Sequence, residues 1–205
     1  MLTCLRFAPA PPPSGSAWTR RELTHPPAGA VESAVLLPLV VSGAEVRLLL
    51  TERGSGLRYH AGELSLPGGR VEAADASWQD AALRETGEEL GLPRDAVEVL
   101  GRLDGLYVPP SNFWIVPFVG LVLDPAAVRP SPREVQSVVE APLSCLFDPS
   151  FVGSERVGGR MVDCYRWEGH RIWGATARIL NNLAEVMGLP CEDWHKTWQS
   201  KGPPE

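Results

Sequence analysis

The sequence predicts a single mixed α/β domain, and three observations carry that expectation. Apolar runs that read as strands recur along the chain, two longer segments carry helical spacing, and no internal repeat divides it. With 205 residues, one such domain has enough chain for its own core. Hydrophobic residues make up 44% and charged residues 21%, a balance that excludes disorder throughout. Lys and Arg number 19 against 25 Asp and Glu, and the net charge of −6 excludes a protein whose main task is gripping nucleic-acid phosphates. A polyanionic ligand would have to be met by a local basic patch or a metal ion.

The elements follow in order. Six of the first 27 residues are proline, which rules out one helix or a central strand and makes residues 1–32 an arm. AVLLPLVV (34–41), the turn Ser42-Gly43 and AEVRLLLT (44–51) read as a hairpin whose near-continuous apolar strands are covered on both faces. Residues 52–75, rich in Gly, Arg and turn formers, read as a long irregular segment. A helix is expected from about Ala76 to Leu90, stopped by Gly91 and Pro93. VEVLGRL (97–103), WIVPFVGLVL (114–123) and MVDCYRW (161–167) read as strands. Ile172, Ala175, Ile179, Leu183 and Val186 recur at helical spacing, so residues 171–189 read as a second helix. The domain proper is expected at 33–190, with a tail at 191–205.

Cys4, Cys145, Cys164 and Cys191 are scattered, form no C-x-x-C pair, and read as reduced thiols. No signal-like apolar run opens the chain and no stretch approaches the roughly 18 apolar residues of a membrane span, so the expected location is the cytoplasm with no membrane partner.

The chemistry concentrates in LPGGRVEAADASWQDAALRETGEELGL, residues 66–92. On a helix Glu85, Glu88 and Glu89 are spaced i, i+3 and i+4, within an arc of roughly 100°. Leu83, Gly87 and Leu90 take the other side. Three glutamates alone describe a solvated acidic face as well as they describe a cation site. Gly68 and Gly69 add a second feature, since glycines permit close backbone approach and can bring a carbonyl beside the carboxylates. Carboxylate and carbonyl oxygens are hard donors suited to Mg²⁺ or Mn²⁺, which in turn bind phosphates. Arg84, beside Glu85 and four residues before Glu88, is placed to orient both acids.

This stretch resembles a Nudix box, G-x5-E-x7-R-E-U-x-E-E-x-G-U with U aliphatic, whose second half stands here as Arg84-Glu85-Thr86-Gly87-Glu88-Glu89-Leu90-Gly91-Leu92. Asp75 replaces the first glutamate, Arg84 lies fifteen residues after Gly69 where the pattern has fourteen, and Thr86 replaces the aliphatic residue. The longer spacing with an aspartate resembles the coenzyme A pyrophosphatases. Their upstream motif, L-L-T-x-R-S-x3-R-x3-G-x3-F-P-G-G, is matched in spacing by Leu49-Leu50-Thr51-Glu52-Arg53-Gly54, Arg58, Gly62 and Leu66-Pro67-Gly68-Gly69. Downstream, Glu134-Val135, Ala141-Pro142-Leu143 and Gly169-His170 leading into Ile172–Leu180 are similar to the same subgroup, so the resemblance spans about residues 33–183.

The resemblance implies a Nudix-type α/β/α sandwich with a mixed β-sheet. It also implies a metal-dependent hydrolase that cleaves the pyrophosphate of coenzyme A into 3′,5′-ADP and 4′-phosphopantetheine. Gly68, Glu85, Glu88 and Glu89 would hold Mg²⁺ or Mn²⁺. Arg53, Arg58, His60, Gly68 and Gly69 would face the substrate, and Glu63 would lie near the metal. The general base would be a box glutamate first and Glu134 second, with Glu140 competing for the distal position. Two other readings stay open: a Nudix pyrophosphatase for ADP-ribose or a dinucleotide, and a noncatalytic nucleotide sensor. Phe113, Trp114, Tyr165, Trp167 and Trp173 are expected in the core more than in the site. Trp194 and Trp198 would pack the tail or join two copies in a homodimer.

Overall fold

A computed structural model describes residues 25–53, 64–146, 148–157 and 160–188. Residues 1–24 of the arm expected at 1–32, Arg58, His60, Glu63, the Arg53 side chain and the tail with Trp194 and Trp198 lie outside the described residues, and β1 begins at Val31, inside the bounds expected for the arm.

The expected hairpin is present. Strand β1 (Val31–Ser42) and strand β2 (Glu45–Arg53) run antiparallel from Leu39↔Leu48 to Ser42↔Glu45, with Gly43 supplying the positive φ that a two-residue turn needs. Beyond Leu48 the two strands part. Strands β3 (Leu64–Ser65) and β4 (Gly68–Arg70) fill the split, β3 on β2 through Thr51↔Ser65 and β4 on β1 through Ala34↔Gly69. The segment expected to be irregular from 52 to 75 therefore holds two short strands and the end of β2. They are strands because the gap offers unpaired backbone, and Thr51 and Ser65 add a hydroxyl contact at 3.2 Å.

Helix α1 (Trp78–Leu90) starts two residues later than expected. Ser77 is extended, its Oγ accepts the Asp80 N–H at 3.1 Å and donates to the Asp80 carboxylate at 2.8 Å, a reciprocal cap that sets the start. Gly91 ends the helix in the left-handed region, donating to the Gly87 carbonyl at 2.9 Å. Strand β5 (Val97–Arg102), strand β6 (Leu106–Val108) and strand β7 (Phe113–Val122) follow. β7 runs parallel to β1 along most of its length, and β5 and β6 pair antiparallel with β7. Strand β8 (Val135–Pro142), unforeseen in the sequence, closes the outer edge of β2. The result is one mixed eight-stranded sheet.

A short helix α2 (Leu143–Leu146) leads to a separate antiparallel sheet of β9 (Val152–Val157), β10 (Arg160–Trp167) and β11 (His170–Trp173). Helix α3 (Gly174–Val186) follows, so residues 171–173, expected to begin the helix, belong to a strand. Glu168 and Gly169, both at positive φ, turn the chain from β10 back into β11, where Ile172 pairs with Tyr165 and is buried as a strand residue.

Two cores lie on the two faces of the large sheet. Ala34, Leu36 and Val40 of β1 join Ala82, Leu83 and Leu90 of α1, while the alternate Leu37 and Leu39 join Ile179, Leu180 and Leu183 of α3. This is the α/β/α layering implied by the resemblance, and β1 is covered on both sides as its apolar run predicts. Tyr165 and Trp114 are buried, in line with a core role. Cys145 and Cys164 are free thiols, the latter buried. Among the described residues no helix is long and apolar enough to cross a membrane.

Candidate active site

The split between β1 and β2 brings the glycine turn against α1. The Glu85 carboxylate lies directly over Gly69, so closely that a Cβ built there would overlap its carboxylate atoms. Gly68, at φ 152°, has the same constraint from β1, where a Cβ would collide with Ala34 and Val35 backbone. The pair is therefore required by packing on both sides.

The ladder on β1 also orients the carbonyls. Leu36 donates to Pro67 at 2.9 Å and Val71 donates to Glu32 at 3.0 Å, so the alternating register turns the Gly68 and Arg70 carbonyls away from β1. The Arg70 carbonyl accepts Arg84 Nη2 at 3.0 Å.

Arg84 is the hub. Its Nε and Nη2 donate to the two Asp75 oxygens at 3.0 and 3.1 Å, and its Nη1 donates to Glu85 at 3.0 Å and to Glu88 at 3.3 Å. Asp75 is only 5% exposed and accepts the Glu72 N–H at 2.8 Å as well. The Arg84 guanidinium and that N–H hold the Asp75 carboxyl below the usual range, and Asp75 in turn raises Arg84, which stays charged. Glu85 behaves oppositely. Burial pushes its pKa up, Arg84 opposes the shift, and the charges of Glu88 and Glu134 push it further.

Glu88 is half-exposed, and Glu89 is half-buried with its carbonyl accepting the Ser131 N–H at 2.8 Å. The same loop places Glu134. Arg129 N–H donates to Leu90, Glu134 and Val135 N–H donate to Ser131, and Gly91 leaves room for the Arg129 carbonyl. Glu134 is thereby within electrostatic range of Glu85. Glu140 is not a contributor there; it sits farther along β8 opposite Leu49, 3.8 Å from Arg47. Thr86, the departure from the aliphatic pattern, is buried against the sheet with its hydroxyl donated to Ala82 at 2.7 Å. A shallow cavity of about 430 Å³ runs along the other flank of α1, past Leu83, Gly87 and Gly91, and shares Arg84 with the cluster.

Three contacts of the site are not visible in the sequence. Asp75 was visible six residues after Gly69, but only the folded loop shows that it holds Arg84. The Arg70 carbonyl carries no side-chain signature, and in the loop at 129–135 Glu134 is legible in the sequence while the backbone bonds that tie the loop to Leu90 and Glu89 are not.

Among the described residues no three His, Cys, Asp or Glu side chains already converge as a closed metal centre. The donor chemistry nevertheless fits a hard divalent cation. Glu85 is a desolvated carboxylate pressed by two further acids, and the nearby Gly68 carbonyl is free of the β1 ladder.

A sheet flanked by helices, with a glycine turn folded under an acidic, arginine-braced helix, defines the class of hydrolases that act on diphosphate bonds. The NUDIX domain model matches residues 31–149, and the chain belongs to the Nudix hydrolase family. Members act on nucleoside diphosphate derivatives and generally require divalent metal ions. An uncharacterized Nudix hydrolase, NudL, of Salmonella paratyphi B is 38% identical over 179 residues, covering 83% of this chain and 90% of the relative. Among solved structures, a MutT/nudix family protein from Enterococcus faecalis superposes at a TM-score of 0.50 with 17% identity, over 78% of this chain and 62% of that one. A C. elegans Ap4A hydrolase solved as a binary complex superposes at 0.47 with 21% identity, over 55% and 80%.

Proposed function

We propose that the chain hydrolyses the pyrophosphate bond of coenzyme A or its derivatives, giving 3′,5′-ADP and 4′-phosphopantetheine or its acyl form. The observation that carries this reading is the upstream pattern from Leu49 to Gly69, which matches that subgroup in spacing and leads along β2 and β4 into the carboxylate cluster. Arg53 and Arg58 would hold phosphates through forked hydrogen bonds, with His60 beside them.

Glu85, Glu88, Glu89 and the Gly68 carbonyl are the proposed ligands of Mg²⁺ or Mn²⁺. When bound, such an ion lowers the pKa of a coordinated water and offsets charge developing on phosphorus. Arg84, held by Asp75, fixes the rotamers of Glu85 and Glu88. A box glutamate takes the proton of the attacking water, and Glu134 is the second choice for that role.

A product-resolved panel of coenzyme A, its oxidised and acyl forms, ADP-ribose, NADH and nucleoside triphosphates, run with Mg²⁺ and with Mn²⁺, tests the reading. Highest kcat/KM on coenzyme A or its derivatives is expected. Preference for ADP-ribose or a dinucleotide would replace the substrate. Nucleotide binding without any turnover would mark a sensor.

A further inference from the structure

We propose that Arg70 binds a phosphate group of the substrate from the sheet face opposite α1. The inference rests on the diphosphate hydrolase reading above and adds a residue to it.

Successive side chains of a strand leave on opposite faces. Gly69 faces Glu85, so the Arg70 side chain leaves β4 on the far face. Its guanidinium lies there over the Phe113 ring, 5.3 Å from the centroid. The register explains the meeting, since β1 Ser33 pairs with Arg70 on one side and, two residues earlier, Val31 pairs with Phe113 on the other.

No carboxylate pairs with Arg70 among the described residues, although the chain carries 25 acids. Arg47, Arg84, Arg94, Arg166 and Arg171 have such partners, and among the described arginines without one Arg70 is the one whose guanidinium lies over an aromatic ring beside the carboxylate cluster. Arg70 is thus an exposed cation held in one direction by an aromatic face, which leaves its forked N–H edge available to an oxyanion. Its backbone carbonyl accepts Arg84, so the strand residue that carries the Arg70 side chain is tied to the arginine that braces the carboxylates. A diphosphate spanning the edge of β4 would meet the acids' cation on one side and Arg70 on the other.

The test compares wild type, Arg70→Ala, Arg70→Lys and Phe113→Leu in the full chain, with thermal melts as a fold control. With coenzyme A, Arg70→Ala should raise KM about tenfold or more while kcat stays within a few-fold, and weaken inhibition by one product fragment to a similar degree. Arg70→Lys should recover part of the loss, and Phe113→Leu should raise KM by roughly threefold because the charge stays but its brace is lost. If wild type prefers ADP-ribose, the coenzyme A assignment falls, and the same KM rise on ADP-ribose still supports Arg70. Unchanged KM for Arg70→Ala on the preferred substrate overturns the proposal while the hydrolase stands. Wild type inactive on the whole panel overturns both.

Discussion

Asp75 grips Arg84 through two parallel hydrogen bonds of 3.0 and 3.1 Å, and the same guanidinium reaches Glu85 and Glu88 with its remaining nitrogen. A forked, charge-assisted pair of this kind fixes direction as well as charge. Asp75→Asn leaves one donor facing the guanidinium, so Arg84 loses its anchor. Turnover should fall about 10- to 100-fold with KM little changed, and stability should drop by about 1–3 kcal/mol, as for a hydrogen bond to a charged group. Steady-state kinetics together with urea unfolding checks both halves; intact kcat would show that Glu85 needs no such bracing.

Gly69 tests the close approach of strand and helix. Because an added Cβ would occupy the volume of the Glu85 carboxylate, Gly69→Ala must displace that side chain. The cost should be about 1–3 kcal/mol of stability, typical of overpacking, with turnover reduced at least tenfold. Calorimetry and kinetics of the same preparation would check it. Wild-type turnover in Gly69→Ala would mean that Glu85 has room elsewhere to act.

Of the three acids bound to Arg84, Asp75 and Glu85 have opposite pH signatures. Asp75 is depressed by Arg84, so its stabilising contribution is complete above the ordinary carboxylate value and is lost as pH falls through its lower folded value. Glu85 is raised by burial, so in the metal-free protein its ionised form is a penalty above its folded value that fades on acidification. Glu85→Gln removes that penalty. In EDTA its Tm should exceed wild type at neutral pH, the gap closing as pH falls through the Glu85 transition, while turnover is lost. A gap independent of pH would contradict the burial argument.

The parts of this molecule that were legible in the sequence are those whose signal is local. The hairpin of β1 and β2 shows as two apolar runs around Gly43, and α1 shows through its spacing and through Gly91 and Pro93. β3 and β4, at two and three residues, have no propensity of their own and exist because β1 and β2 part beyond Leu48. Ile172 misled because it is apolar at a position that suits either a strand or the helix, and only the turn at Glu168-Gly169 decides between them. In the candidate site, the i, i+3, i+4 acids and Arg84 were visible as helix arithmetic. The anchoring of Arg84 by Asp75 was not, because it depends on how residues 70–77 close onto α1.

The distal acid gives the last prediction. Glu134 and Glu140 were equivalent on spacing, but the fold separates them, Glu134 in the loop just before β8 and Glu140 near the far end of that strand. Glu134 is carried toward Glu85 by the loop whose N–H groups cap Leu90 and Glu89, whereas Glu140 pairs with Arg47 near the hairpin end of β2. An acid near the reacting water affects kcat, and one 3.8 Å from a surface arginine contributes at most a fraction of a kcal/mol to stability. Glu134→Gln should therefore lower kcat roughly 10- to 100-fold, within the range expected for a group assisting proton transfer, and alter the pH profile of kcat. Glu140→Gln should leave kcat and KM within about twofold of wild type, as expected of a substitution away from the site. Parallel pH–rate profiles of the two variants decide the matter, and the reverse ranking would move the distal role away from the loop at 129–135.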